Sequence, residues 1–173
     1  MNASAESAFV EFIRYNNWAN AQIFATCQKL TAEQLAAASP GAYGTIRDTL
    51  EHIARAEASY LGRMTGERLP PPFKWEDQPA LADISIYASQ VAGALLDAVQ
   101  RIPPTSIVHE EENGLFIDYQ ARLLFLQVVN HGIEHRTNIT TILSGHALEA
   151  PTVDGWGYLD SHPDRFEMQE GSL

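Results

Sequence analysis

Residues 130–139 read NHGIEHRTNI and carry two histidines four positions apart, His131 and His135. On a helix this spacing puts both on one face, about 40° apart around the axis and about 6 Å along it. Two imidazoles so placed can share one divalent cation, each offering a neutral nitrogen at about 2 Å. Leu124, Val128, Ile139 and Ile142 fall on the same stripe, so the pair sits where a core is expected. Two readings stand at this point: metal ligands, or core histidines that find hydrogen-bond partners after losing water. Gly132 holds the place that the HExxH motif of zinc proteases gives to its general-base glutamate, so a protease-like mechanism has no support. Glu134 shares the turn but lies to one side of the stripe, as a surface or supporting group rather than a ligand.

A third ligand has to come from elsewhere. His52 lies on the flank of an apolar stripe in Leu50-Glu-His-Ile-Ala-Arg-Ala-Glu57, and taken alone it reads as a solvent-facing residue. Glu57 lies on the stripe itself. There it is a ligand, a partner to a cation, an acceptor for a ligating histidine, or an edge residue whose head reaches water. Asn16 and Asn20 share a stripe with Phe12, Ile13, Ile23 and Phe24. Buried amides need partners, so they bond across helices or line a cavity. His109, His146 and His162 have no second ligand at useful spacing and read as surface residues. Cys27 falls on a core stripe, where burial rather than reactivity is expected.

The elements that must position these groups are helices. Helical periodicity predicts a first helix from about Ser7 to Leu30, with Phe9, Phe12, Ile13, Ile23, Phe24 and Cys27 inward. Thr31-Ala-Glu-Gln-Leu predicts a capped extra turn. A second helix starts at Thr45, where Asp48 completes a capping-box pattern. Its stripe is Ile46, Leu50, Ile53, Tyr60, Leu61 and Met64. Residues 66–79, with Pro70-Pro71-Pro72 and Pro79, form a long loop. A third helix runs from about Leu81 to Ile102, with Leu81, Ile84, Ala88, Val91, Leu95 and Val99 as its stripe, and is stopped by Pro103-Pro104. Asn113-Gly114 signals a short hairpin. A fourth helix runs from about Gln120 to Leu143, ending near Ser144-Gly145. The tail reads as loop with at most one turn. Four amphipathic helices predict an all-α four-helix bundle in a single domain over residues 1–173, with a crossover possible in the long 66–79 connection.

The chain has 173 residues, one cysteine and a formal net charge of −11. This length suffices for a core without staples, and one cysteine allows no intrachain disulfide. The acidic balance, with no Lys/Arg cluster to offset it, excludes nucleic acid and anionic membranes as expected partners. The start, MNASAESAFVEF, has no basic or continuous apolar region, and no stretch is apolar for long enough to span a bilayer. The expected location is cytoplasmic. Trp18 faces away from the first stripe, as a partner surface or as packing under a loop.

Three places in the chain resemble the DinB-like family, the DinB/YfiT superfamily. They are Tyr15-Asn-Asn-Trp-Ala-Asn20, Thr45-Ile-Arg-Asp-Thr-Leu-Glu-His52 followed by Glu57, and Asn130-His131-Gly-Ile-Glu-His135-Arg136. The ending, Leu143-Ser-Gly to Gly155-Trp-Gly-Tyr158, also suits the family. The resemblance implies a four-helix bundle and a divalent metal held by three histidines, here His52, His131 and His135. It also implies a homodimer and no DNA binding. Members often carry a further histidine just before the second ligand of the pair, and Gly-Gln after the arginine. This chain has Glu134 and Thr137-Asn138 there.

Some relatives are thiol S-transferases or thiol-dependent isomerases that use bacillithiol, mycothiol or glutathione. The resemblance therefore leads to a metal-dependent thiol S-transferase, with a low-molecular-weight thiol and a small electrophile as partners. Arg136 or the Asn16/Asn20 face is a candidate for positioning an anionic cosubstrate. The alternative is a non-catalytic, stress-related metal-holding bundle. Hydrolysis by metal-bound water is a third idea, with Glu57 as the available base. Histidine ligands suit zinc, nickel, iron or copper, and zinc or nickel is the expectation here.

Overall fold

Two helices begin by the same local device. Thr31 and Thr45 each accept from the backbone N–H three residues on, and the side chains of Gln34 and Asp48 reach back to the threonine N–H. Each reciprocal cap satisfies two N–H groups that the first helical turn leaves free. The computed structural model describes residues 7–112 and 114–166, so Asn113 and the first six residues of MNASAESAFVEF lie outside the described residues.

The elements in chain order are α1 (Ala8–Cys27), α2 (Ala32–Leu35), α3 (Ile46–Thr65), α4 (Leu81–Arg101), β1 (Ile107–Glu112), β2 (Leu115–Gln120), α5 (Arg122–Gly145) and α6 (Gly155–Ser161). The long helices α1, α3, α4 and α5 make an all-α four-helix bundle. Around the bundle the order is α1, α4, α3, α5, so α1 faces α3 on one diagonal and α4 faces α5 on the other. The long proline-rich loop at 66–80 therefore joins two neighbours, α3 and α4. The links that cross the bundle are the α2 segment between α1 and α3, and the hairpin between α4 and α5.

The predicted stripes supply the core. Ile13, Ile23, Leu50, Ile53, Ile84, Leu95, Val128, Ile139 and Ile142 are buried on the facing sides of the four helices. Phe12 departs from its predicted stripe and is 53% exposed. It sits on the α5 side of α1, where it lines an apolar groove with Leu126 and Ile133.

The hairpin forms as predicted, antiparallel from Ile107 opposite Gln120 to Glu112 opposite Leu115. Gly114 takes φ 76°, a conformation that glycine reaches without a Cβ clash. The tail corrects the loop reading. Asp154 accepts from Gly157 N at 2.9 Å and caps α6, whose Tyr158 is buried. Its short apolar face gives little periodic signal, and docking on α1 orders it. Among the described residues no helix is long and apolar enough to cross a membrane.

Candidate metal centre

Because α3 and α5 are neighbours, the flank of α3 that carries His52 faces the histidine pair of α5. His131 Nε2 lies 2.9 Å from His52 Nε2. His52, His131 and His135 each offer one nitrogen to a cluster whose three atoms all lie within 4.8 Å of one another. His131 and His135 are buried and His52 is half-buried. The flank position, which alone suggested solvent, is an inward one in this bundle.

Aromatic rings hold the imidazoles. Tyr43 stacks on His52 with centroids 4.1 Å apart and an interplanar angle of 22°, and meets His135 edge-on at 5.1 Å. Tyr60 meets His131 edge-on at 5.6 Å and accepts a hydrogen bond from Gln127 Nε2. Tyr43, in the loop before α3, is 55% exposed, so this ring lies between His52 and solvent.

The electrostatics favour neutral rings. Burial, then the neighbouring His135 and His52, push His131 down to about 4. Burial also lowers His52, with Arg55 adding to the effect, and lowers His135, with His52 adding to it. A neutral imidazole is the form that ligates. Nδ1 of His131 and Nδ1 of His135 are buried with no hydrogen-bond partner among the described residues. Converging neutral nitrogens and unsatisfied ring atoms make a donor set that fits a divalent ion. A close-packed apolar core would not tolerate that arrangement cheaply.

Beside the histidines runs a buried polar network. Asn16 Nδ2 and Asn20 Nδ2 each donate to Glu57 Oε1 at 2.7 Å. Arg136 Nη1 donates to Asn16 Oδ1 at 2.7 Å and to Asn20 Oδ1 at 2.6 Å. The two amides thus relay between a buried carboxylate on α3 and a buried guanidinium on α5. Burial raises Glu57, while the two amides and Arg136 pull it back down.

Glu57 is 1% exposed, which rules out the edge reading. Its hydrogen bonds go to Asn16 and Asn20 and, among the described residues, none goes to a histidine, so among the predicted roles it fills that of partner to a cation, through the two amides. Arg136 is likewise 2% exposed, and its Nη1 is taken up by the two amides inside the bundle. Gly132 leaves the space this network needs, since a Cβ there would overlap Asn16 Oδ1 and Arg136 Nη1.

The remaining candidates separate cleanly. Glu134 and His146 are exposed, and His109 is exposed and paired with Asp118 at 2.8 Å. His162 is half-buried against Trp18 and Tyr158, which corrects its surface reading. Trp18 is half-buried and packs on Tyr158 of α6, which is the packing alternative of its sequence reading. Cys27 is fully buried, and burial pushes its thiol up to about 12. Tyr43 was missed from the sequence. It is a single aromatic in a glycine-flanked loop, and no periodicity singles it out.

The family model described as the DinB family matches residues 1–170. Protein DinB of Bacillus subtilis (strain 168) is 25% identical over 150 residues, which are 80% of this chain and 86% of that protein. The crystal structure of a DinB-like protein from Bacillus cereus ATCC 10987 superposes with a TM-score of 0.64 at 21% identity. That overlap covers 84% of this chain and 95% of the other, and it shows the shared fold. The chain belongs to the DinB family.

Proposed function

We propose that this DinB-family chain holds one divalent ion, zinc or nickel, through His52, His131 and His135. We propose further that it acts as a metal-dependent thiol S-transferase on a low-molecular-weight thiol and a small electrophile. The 2.9 Å approach of two ring nitrogens, with a third imidazole beside them, carries the reading. Three protein ligands with a further position open is the arrangement of catalytic rather than structural sites. A bound divalent ion supplies one thing here, a lowered thiol pKa that yields thiolate near neutral pH.

The chain's own residues do the rest. Burial keeps the three imidazoles unprotonated, and Tyr43 fixes the His52 ring plane and screens it from water. In the transfer, the thiol proton leaves to solvent and a sulfur lone pair forms the new S–C bond. The leaving group departs with the electron pair of the bond that breaks. The exposed apolar face of Phe12, Leu126 and Ile133 supports the proposal of a homodimer, in place of Trp18.

One observation favours the second reading, a non-catalytic metal-holding bundle. Among the described residues no carboxylate is hydrogen-bonded to the cluster: Glu134 is exposed, and Glu57 is held by two amides. The same observation removes the base needed for hydrolysis. Incubating the metal-loaded protein with bacillithiol, mycothiol or glutathione and monochlorobimane separates the readings. S-transferase activity gives a rate with at least one thiol that is lost in His131→Ala. No rate above that variant with any thiol leaves the non-catalytic bundle.

A further inference from the structure

We propose that the cleft between α1 and α4 is a binding site for the primary ammonium group of a small alkyl amine. This cleft lies on the opposite side of the bundle from the α3/α5 histidines and does not depend on them. Its volume is about 320 Å³, and Glu57, Asn17, Asn20 and Ser85 are among the groups that line it.

Unused acceptors line this cleft. Glu57 is buried and lends Oε1 to both asparagines, while Oε2 has no partner among the described residues. Asn17 donates to Ala92 O at 2.8 Å, and its Oδ1 is buried with no partner among the described residues. The Ser85 hydroxyl is a third candidate acceptor. Three acceptors, one of them a carboxylate, match the three N–H donors of a primary ammonium. Ala21 and Ala88 supply short apolar walls for an alkyl stem.

The test uses full-length protein labelled at the alanine methyl carbons and titrated with n-butylammonium, n-butanol or tetramethylammonium. Saturable shifts are expected at Ala21, Ala25, Ala88 and Ala92 with butylammonium alone. Butanol lacks the charge, and tetramethylammonium lacks the N–H donors. Gly93 lines the cleft, and a Cβ there meets nothing within 4 Å, so Gly93→Leu should fold and plug it. Affinity should fall at least about tenfold in Gly93→Leu and in Glu57→Gln. Should Glu57→Gln fail to fold, Gly93→Leu alone decides. The proposal is overturned by no saturable shift, by an equal response to butanol or tetramethylammonium, or by undiminished binding in Gly93→Leu.

Discussion

Arg136 Nη1 donates to Asn16 Oδ1 over 2.7 Å, tying α5 to α1 inside the bundle. Gly132, one turn before Arg136, makes that approach possible, because any Cβ at 132 overlaps both partners. Gly132→Ala should therefore destabilise the fold, although alanine is the better helix former by about 1 kcal/mol. The expected loss is about 2 kcal/mol or more, from overpacking and a disturbed buried network. Urea denaturation checks it, and a stabilised variant would show that the network yields to the methyl group.

Removing the other end of the network has a different signature. Glu57→Ala leaves the Asn16 and Asn20 amides without their acceptor and Arg136 without its counter-charge. Breaking one side of a buried charge arrangement costs about 3–5 kcal/mol. Glu57→Gln keeps an acceptor oxygen and should lose clearly less. Equal losses in the two variants would mean that the carboxylate charge, which both remove, sets the cost and that the retained acceptor oxygen contributes nothing.

A surface contact gives a pH-dependent prediction. Glu11 accepts from Arg165 Nη2 at 2.6 Å and from Tyr158 Oη at 2.7 Å, which together hold its carboxyl below the ordinary value of 4.5 despite partial burial. A depressed folded value means stability that is complete above the unfolded value and is lost as pH falls through the folded one. Glu11→Gln should cost about 0.5–1 kcal/mol near pH 7. The difference from wild type should shrink as the pH drops below about 4.5. Thermal melts at a series of pH values measure it, and a difference that grows on acidification would contradict the assignment.

How much of this was readable in advance depended on periodicity. The stripes through Ile13, Leu50, Leu95 and Ile139 located the bundle helices, and His131 and His135 on one of them marked two of the three histidines of the site. The flank residue His52 was different, because only helix order around the bundle decides whether a flank faces a neighbour or water. That order is set by which connections cross the diagonal, and the chain does not spell it out locally. The Glu57–Asn16–Asn20–Arg136 network was visible as four polar residues near apolar stripes. Its pairing was not, because it joins residues 37 to 120 positions apart. Tyr43 and α6 gave no periodic signal, and tertiary contact orders both.

Tyr43 then tests how the site is held. Being 55% exposed, it adds little to the core, so Tyr43→Ala should change metal-free stability by less than about 1 kcal/mol. Losing the ring that orients His52 should weaken metal binding about tenfold or more, as removal of supporting groups around metal ligands does. Competition titration with a chelator reads the affinity. An unchanged affinity would show that Tyr43 only covers the site.

The central claim is that His52, His131 and His135 together hold one divalent ion. Elemental analysis of the purified protein beside its His52→Ala and His131→Ala variants tests it most directly. The account predicts about one zinc or nickel ion per chain in the wild type and loss of that ion in each variant, since two remaining ligands make a poor site. Stoichiometric metal retained in both variants would contradict it.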